Sequence, residues 1–130
     1  MAKRNWKTRF SAAKSGASLL VLFIPSVDRD GEPVDQHYWV GRALESLGTW
    51  FGGATAFPQA RGVWRDDSWG GRLVFDEPVV IQCYTSEASM VDRVDDLREL
   101  LLEMGRQTRQ GAVGLVIDRE YLEISITATK

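Results

Sequence analysis

The sequence contains one cysteine and no long apolar run, and each shortage excludes a class of protein. The lone Cys83 cannot form an intramolecular disulfide, so a reducing cytoplasm is the expected compartment. The longest apolar run, 19–25, is far shorter than the roughly 20 residues that a membrane-spanning helix requires. The start of the chain, 1–16, lacks the apolar segment of a secretory signal. We therefore expect a cytoplasmic protein without a membrane segment.

The chain has enough apolar material for one domain. Of its 130 residues, 44% are hydrophobic, which suffices for a sizeable core. Two separate halves would each have to fold with about 65 residues and no disulfide. We predict a single domain over 17–130, preceded by a basic arm over 1–16.

That arm carries five cations before the first acidic residue, Asp28. They are Lys3, Arg4, Lys7, Arg9 and Lys14. The net charge is −2, so the rest of the chain carries −2 − 5 = −7. One interpretation is a solvated and partly disordered terminus. The other is an arm that binds nucleic-acid phosphates while Trp6 or Phe10 stacks on bases.

Periodicity and turn formers predict the order of the elements. The apolar run 19–24 is typical of a covered strand, and Val40, Ala43, Leu44 and Leu47 repeat at the spacing of one helical face. The predicted elements are a strand at 19–24, a helix at 34–50, an extended piece at 54–64, a turn at 66–71, a strand at 73–84 bent by Pro78, a helix from Ser86 to Gly111, and strands at 113–117 and 121–126.

This order indicates an α+β fold of the ferredoxin-like βαββαβ type, with an additional C-terminal strand. Both helices then cover one face of an antiparallel sheet. The other face needs cover, and a second copy of the chain is the usual solution in small proteins of this shape. We therefore predict a homodimer.

The segment around the predicted turn at 66–71 mixes arginine with aromatic side chains. Arg61, Trp64 and Arg65 precede this turn, and such a group is able to hold an anionic or planar ligand. Tyr84 and Tyr121 lie on strands whose opposite faces are apolar, so they are further candidates for a ligand cleft. The alternatives are a hairpin with intrachain ion pairs and a packing tryptophan, and tyrosines at a dimer interface.

His37 is the only histidine and the first candidate for proton transfer, because its side chain titrates near neutrality. The alternative is a helix residue at the surface. No metal is expected, since the adjacent Asp66 and Asp67 would face opposite ways on an extended chain. No cofactor is expected either, because Gly52-Gly53 lacks the Lys-Ser/Thr ending of a phosphate loop and follows a helix.

Four segments resemble a family of small uncharacterised bacterial proteins with ferredoxin-like character. They are Gly48 to Asp67, Glu77-Pro78-Val79-Val80, Met104-Gly105-Arg106, and Gly111 to Glu120 with Tyr121. The resemblance covers most of the chain beyond the basic arm. It implies a fold but no activity, and no catalytic residue carries over from it.

Three functions follow as hypotheses. The first is a dimeric binding or accessory protein that recognises a small molecule or a protein partner in a cleft near the helix 34–50 and the hairpin. The second is a cofactor-independent enzyme of the dimeric α+β barrel type, with His37 as base and Arg61 or Arg65 stabilising an anionic intermediate. The third is a nucleic-acid accessory protein that uses the basic arm.

Overall fold

The structure is a computed structural model that describes residues 5–13, 16 and 18–126. Three helices and seven strands occur in these residues. In chain order they are α1 (Trp6–Arg9), β1 (Ser18–Ile24), α2 (Gln36–Phe51), β2 (Thr55–Ala56), β3 (Gly62–Asp66), β4 (Arg72–Asp76), β5 (Val79–Thr85), α3 (Glu87–Gln107), β6 (Ala112–Ile117) and β7 (Glu120–Ser125). The expected α+β class, with an antiparallel sheet and helices, is confirmed.

Five strands form the main sheet in the order β2-β5-β1-β6-β7, and every neighbouring pair is antiparallel. The apolar run of β1 lies at the centre, as a run covered on both faces should. Leu20, Leu22 and Ile24 have no exposed surface on one side of this strand. Val21 and Phe23 point to the other side and are half-buried.

The two long helices contact each other and pack against the Leu20 side of the sheet. Asp35 caps α2 by accepting a hydrogen bond from the backbone N–H of Tyr38 at 3.1 Å, and Ser86 caps α3 in the same way, because helix starts leave N–H groups unsatisfied. Arg42 of α2 donates two hydrogen bonds, both at 3.2 Å, to the carboxylate of Glu103 in α3. The helices are therefore joined by charge as well as by the core.

Strands β3 and β4 form a separate two-stranded hairpin. The predicted turn at 66–71 is present as a short 3-10 segment, followed by Gly70 and Gly71 with φ of +68° and +76°. The prediction of one strand over 73–84 is wrong, because the chain breaks at Glu77-Pro78 and its two halves join different sheets. The extended piece at 54–64 is likewise divided between β2 and β3.

The basic arm is described only in part. Lys7 and Arg9 are exposed in the short helix α1, whereas Lys3, Arg4 and Lys14 lie outside the described residues. No helix in the described part of the chain has the length and apolar character that crossing a membrane demands.

Candidate functional site

A cleft of ≈ 370 Å³ lies between the hairpin and the sheet face that the helices leave open. Three strands supply its floor: Phe23 from β1, Val80 from β5, and Ala112 and Gly114 from β6. The hairpin side includes Arg61, Gly62, Val63, Trp64 and Asp76, and the β7 side includes Tyr121 and Glu123. The hairpin precedes β5 in the chain, and β7 is the edge strand on the other side of the sheet, so the cleft is lined both by the hairpin and by that edge strand.

The base of the hairpin is fixed to the sheet by hydrogen bonds. Asp76 Oδ1 accepts from the backbone N–H of Ser26 at 2.9 Å and of Glu77 at 2.8 Å, and from the Ser26 hydroxyl. The Ala60 N–H donates to the Pro78 carbonyl at 2.8 Å. These bonds join the hairpin to the loop after β1 and to the start of β5.

The tip of the hairpin is held by the loop that follows β1. Asp66 is 3% exposed, and its Oδ1 accepts from the Ser68 hydroxyl at 2.6 Å. Arg29 Nη2 donates to Ser68 Oγ at 3.0 Å and lies 3.9 Å from Asp66 Oδ2. Arg72 Nη2 also donates to the Arg29 carbonyl at 3.0 Å. The carboxylate, hydroxyl and guanidinium groups therefore join the tip to the sheet domain at a second point.

Tyr121 lies across Gly114 on the neighbouring strand. A Cβ at Gly114 would stand 2.4 Å from the Tyr121 hydroxyl and 2.8 Å from its Cε1, closer than non-bonded atoms approach. Tyr121 Oη donates to Glu123 Oε2 at 3.3 Å. Partial burial, and then the charge of Glu123, raise the pKa of Tyr121, because both disfavour the phenolate. The phenol therefore stays protonated at neutral pH.

Three of the five predicted ligand-binding residues meet at this cleft: Arg61, Trp64 and Tyr121. Arg65 does not line it. Its side chain is 68% exposed, and its Nε donates to Asp67 Oδ1 at 2.6 Å. The hydrogen bond from Arg65 to Asp67 raises the pKa of the guanidinium. Tyr84 is 58% exposed at the end of β5 and approaches Gly16.

His37 lies in the first turn of α2 and is exposed. It lines neither the cleft under the hairpin nor a second, polar cleft of ≈ 470 Å³ between the start of α2 and the end of α3. Tyr38, Trp39 and Arg109 line that second cleft. The sequence predicts one cleft beside both the helix 34–50 and the hairpin. In the structure the hairpin cleft contains no residue of α2, so the helix and the hairpin border different clefts. The role of His37 as a base stays a prediction.

Several cleft residues were not singled out from the sequence. The floor residues Phe23, Val80 and Gly114 come from three strands far apart in the chain, and only the strand register brings them together. The sequence pattern could have indicated Glu123, because this residue alternates with Leu122 and Ile124. It therefore shares a strand face with Tyr121. In the described residues, no group of three or more histidine, cysteine or acidic side chains is arranged to hold a metal ion.

The chemistry of the cleft is aromatic and weakly acidic. Phe23, Trp64 and Tyr121 present apolar or π surface, and the charged lining consists of two carboxylates, Asp76 and Glu123, and one guanidinium, Arg61. Aromatic faces attract both planar rings and cations. A planar ligand that carries a positive charge therefore matches these side chains better than an anion does.

Together the fold and cleft define a small α+β domain with a ligand-sized cavity on the open face of its antiparallel sheet. Among solved structures, the chain is similar to a phage SAM lyase in complex with S-methyl-5'-thioadenosine, with a TM-score of 0.66 and 17% identity over 90% of this chain and 95% of that one. It is also similar to a phage SAM lyase in its apo state, with a TM-score of 0.61 and 17% identity over 91% and 96%. Family models and curated proteins gave no match. At this identity the likeness establishes the fold.

Proposed function

We propose that this chain binds a 5'-thioadenosine nucleoside in the hairpin cleft and cleaves the corresponding sulfonium compound, S-adenosylmethionine. The observation that carries the proposal is the likeness to a SAM lyase with S-methyl-5'-thioadenosine bound, which extends over 90% of this chain and 95% of the other. The likeness includes nearly the whole of both chains, so it is not confined to a common structural motif. The cleft supplies independent chemical support.

The size and lining of the cleft suit such a ligand. Its ≈ 370 Å³ falls in the range of about 300–1,000 Å³ that is usual for small-molecule sites. Adenine is planar, and Trp64 and Tyr121 offer rings on which a planar base stacks. The sulfonium sulfur carries a positive charge, which the carboxylates of Asp76 and Glu123 and the aromatic faces attract.

The proposed reaction breaks the bond between the sulfonium sulfur and the γ-carbon of the methionyl arm. The electron pair of that bond stays on sulfur, which becomes the neutral thioether of S-methyl-5'-thioadenosine. A lyase adds no water, so the carbon gains its new bond from within the substrate. This bond is made either to an oxygen of the substrate's own carboxylate, which gives a lactone, or as a second bond to the β-carbon, which gives an alkene and releases the β-proton to solvent.

The two carboxylates assist binding of the substrate and do not accelerate the chemical step. The positive charge on sulfur is lost as the bond breaks, so Asp76 and Glu123 interact more strongly with the substrate than with the transition state. Such interactions do not speed the chemical step. They do favour binding of the cationic substrate over the neutral thioether product, which assists product release.

The test combines binding and turnover. Isothermal titration with S-methyl-5'-thioadenosine measures occupancy, and chromatography of S-adenosylmethionine incubated with the protein measures conversion. Trp64→Ala should weaken binding, while Trp69→Ala is the matched control, because Trp69 is exposed on the same hairpin and does not line the cleft. Absence of binding by the wild-type chain would contradict the nucleoside site, and binding without conversion would reject the lyase reaction alone.

We propose further that the domain is ferredoxin-like and forms a homodimer. The support for the fold is that β1 lies between β5 and β6, the strands before and after α3, with β2 beyond β5. The support for pairing is the hairpin strand β4, where Leu73 and Phe75 are 59% and 71% exposed and do not line the cleft. Exposed apolar side chains grouped on one strand face mark an interaction site.

Light scattering after size-exclusion chromatography tests the pairing. The expected mass is twice the 14.6 kDa of the chain. Phe75→Ser should shift the protein towards monomer, whereas Val91→Ser, at a position 67% exposed on α3, should not. A wild-type protein that remains monomeric at micromolar concentration would reject the dimer.

A further inference from the structure

Gly114 occupies an unusual position, because it is a glycine in the interior of a strand that adjoins the cleft. Glycine in a strand interior weakens the strand and often marks the close approach of another group. Here the approaching group is the phenol ring of Tyr121, since a Cβ at Gly114 would stand 2.4, 2.8 and 2.9 Å from the hydroxyl, Cε1 and Cζ atoms. Any larger residue at 114 would force the ring to move.

We infer that Gly114 is a positioning residue for the ligand, because its missing side chain lets the ring of Tyr121 lie across β6 as the stacking surface for the nucleobase. This inference rests on the proposed function. Gly114 and Tyr121 both line the cleft, and the Tyr121 side chain is 60% exposed. The ring is therefore held on one side by the sheet and is open to a ligand on the other.

A close glycine in the core, Gly105, provides a contrast. A Cβ at Gly105, in α3, would stand 2.5 Å from Ile126 Cδ1 and 2.9 Å from Val113 Cγ2. These are core contacts between a helix and the sheet, where added volume causes overpacking. Gly105 serves the packing of the fold, whereas the contact of Gly114 is with an exposed ring beside the cleft.

Because Gly114 contacts an exposed ring and Gly105 contacts the core, substitutions at the two positions should affect ligand binding and stability separately. Gly114→Ala should displace the ring and weaken binding of S-methyl-5'-thioadenosine by about 5- to 150-fold, the range of a lost base–aromatic stack. The melting temperature of this variant should stay close to that of the wild type, because the displaced ring is exposed and its movement disturbs little of the core. Gly105→Ala should lower the melting temperature and leave the affinity of the remaining folded protein nearly unchanged.

A double-mutant cycle separates positioning from general damage to β6. Tyr121→Ala should weaken binding as Gly114→Ala does, and the double variant should be no weaker than Tyr121→Ala alone, because the ring that the added methyl displaces is already gone. If Gly114→Ala weakens binding equally with and without Tyr121, the residue acts through the strand and the inference is overturned.

A second readout does not require the ligand. In a Tyr38→Phe/Tyr84→Phe background, Tyr121 is the only tyrosine, and ultraviolet absorbance follows its ionisation. Gly114→Ala should move that titration towards the ordinary tyrosine pKa, because the ring leaves its partly buried position. An unchanged titration would refute the positioning role. If the titration moves but the wild type binds no nucleoside, the proposed function fails and only the contact between Gly114 and Tyr121 stands.

Discussion

Asp66 and Arg29 lie on opposite sides of the gap between the hairpin tip and the sheet domain, with Oδ2 and Nη2 3.9 Å apart. The Asp66 side chain is 4% exposed, and no hydrogen bond from the described residues reaches its Oδ2. A buried charge without a partner is costly. The attraction between this carboxylate and the guanidinium therefore holds the hairpin tip against the loop that follows β1.

Removing this carboxylate should loosen the hairpin. Asp66→Ala leaves the Ser68 N–H without its acceptor and the Arg29 guanidinium without its nearest carboxylate, at a cost of about 1–3 kcal/mol in the free energy of unfolding. Denaturant titration measures that loss, and limited proteolysis measures cleavage within 62–76. Binding of S-methyl-5'-thioadenosine should weaken as well, because the cleft loses a fixed wall.

Asp67→Ala is the matched control for this experiment. Asp67 is the next residue, and its side chain is 71% exposed and paired with Arg65. A surface ion pair contributes little, so the change should stay within about 0.5 kcal/mol. Equal effects at positions 66 and 67 would show that the hairpin tip is not held by Asp66.

A second prediction concerns the charge of the ligand. Glu123→Gln should weaken binding of cationic S-adenosylmethionine by about 3- to 10-fold, because a carboxylate near a partly exposed cation contributes on the order of 1 kcal/mol. Binding of the neutral thioether should change less than about twofold by the same argument. Competition titrations at two salt concentrations measure the affinities for both ligands. Added salt should weaken binding of the cation more in the wild type than in the variant.

The control for the charge prediction is Glu120→Gln on the same strand. Glu120 is exposed and does not line the cleft, so its loss should leave the preference for the cation unchanged. Equal weakening of the cation and the neutral thioether by Glu123→Gln would mean that Glu123 acts through the position of Tyr121 rather than through its charge.

The secondary structure was largely readable from local signals. The apolar run of β1 indicated a central strand, and the caps Asp35 and Ser86 begin α2 and α3, although only Ser86 was recognised from the sequence. The α+β class follows from this order of elements. Pro78 predicts a bend within one strand, but it lies in the break between the end of β4 at Asp76 and the start of β5 at Val79. A local pattern does not show which sheet a strand joins, because pairing depends on distant partners.

The lining of the candidate cleft was predictable where its residues are close in sequence. Arg61 and Trp64, which line it, were predicted because arginine and tryptophan occur together before a turn. The floor was not, because Phe23, Val80 and Gly114 become neighbours only through the register of three strands. A one-residue slip would turn each of these residues to the other face. Gly114 in particular gives no local signal, since its role depends on a tyrosine in the next strand.

A third prediction concerns Cys83, whose side chain is 1% exposed in β5. Burial raises the pKa of the thiol, because the thiolate is poorly solvated in the core. In the unfolded chain the thiol ionises at its ordinary pKa. The stability that the neutral thiol contributes is therefore present below that value and is lost as pH rises through the folded-state pKa.

The free energy of unfolding should be measured by urea titration of the wild type and of Cys83→Ala, at pH values from below the ordinary thiol pKa to above it. The variant should lose the part of the pH dependence that comes from the thiol, although the cavity also lowers its stability at every pH. In native buffer a thiol reagent should react slowly, and it should react with one equivalent in denaturant. Rapid labelling of the folded protein would contradict the buried position of this residue.

The last prediction concerns Gly52, the glycine at the end of α2, with the adjacent Gly53 as its control. Gly52 ends α2 with φ of +94°, a conformation that residues with a Cβ adopt only at a cost. Gly53 has no positive φ and no heavy atom within 4 Å of the position of an added Cβ. Gly52→Ala should lower the free energy of unfolding by about 1 kcal/mol, while Gly53→Ala should leave it unchanged or raise it slightly by restricting the unfolded chain. Equal effects in denaturant titrations would show that the left-handed end of α2 is not formed in solution.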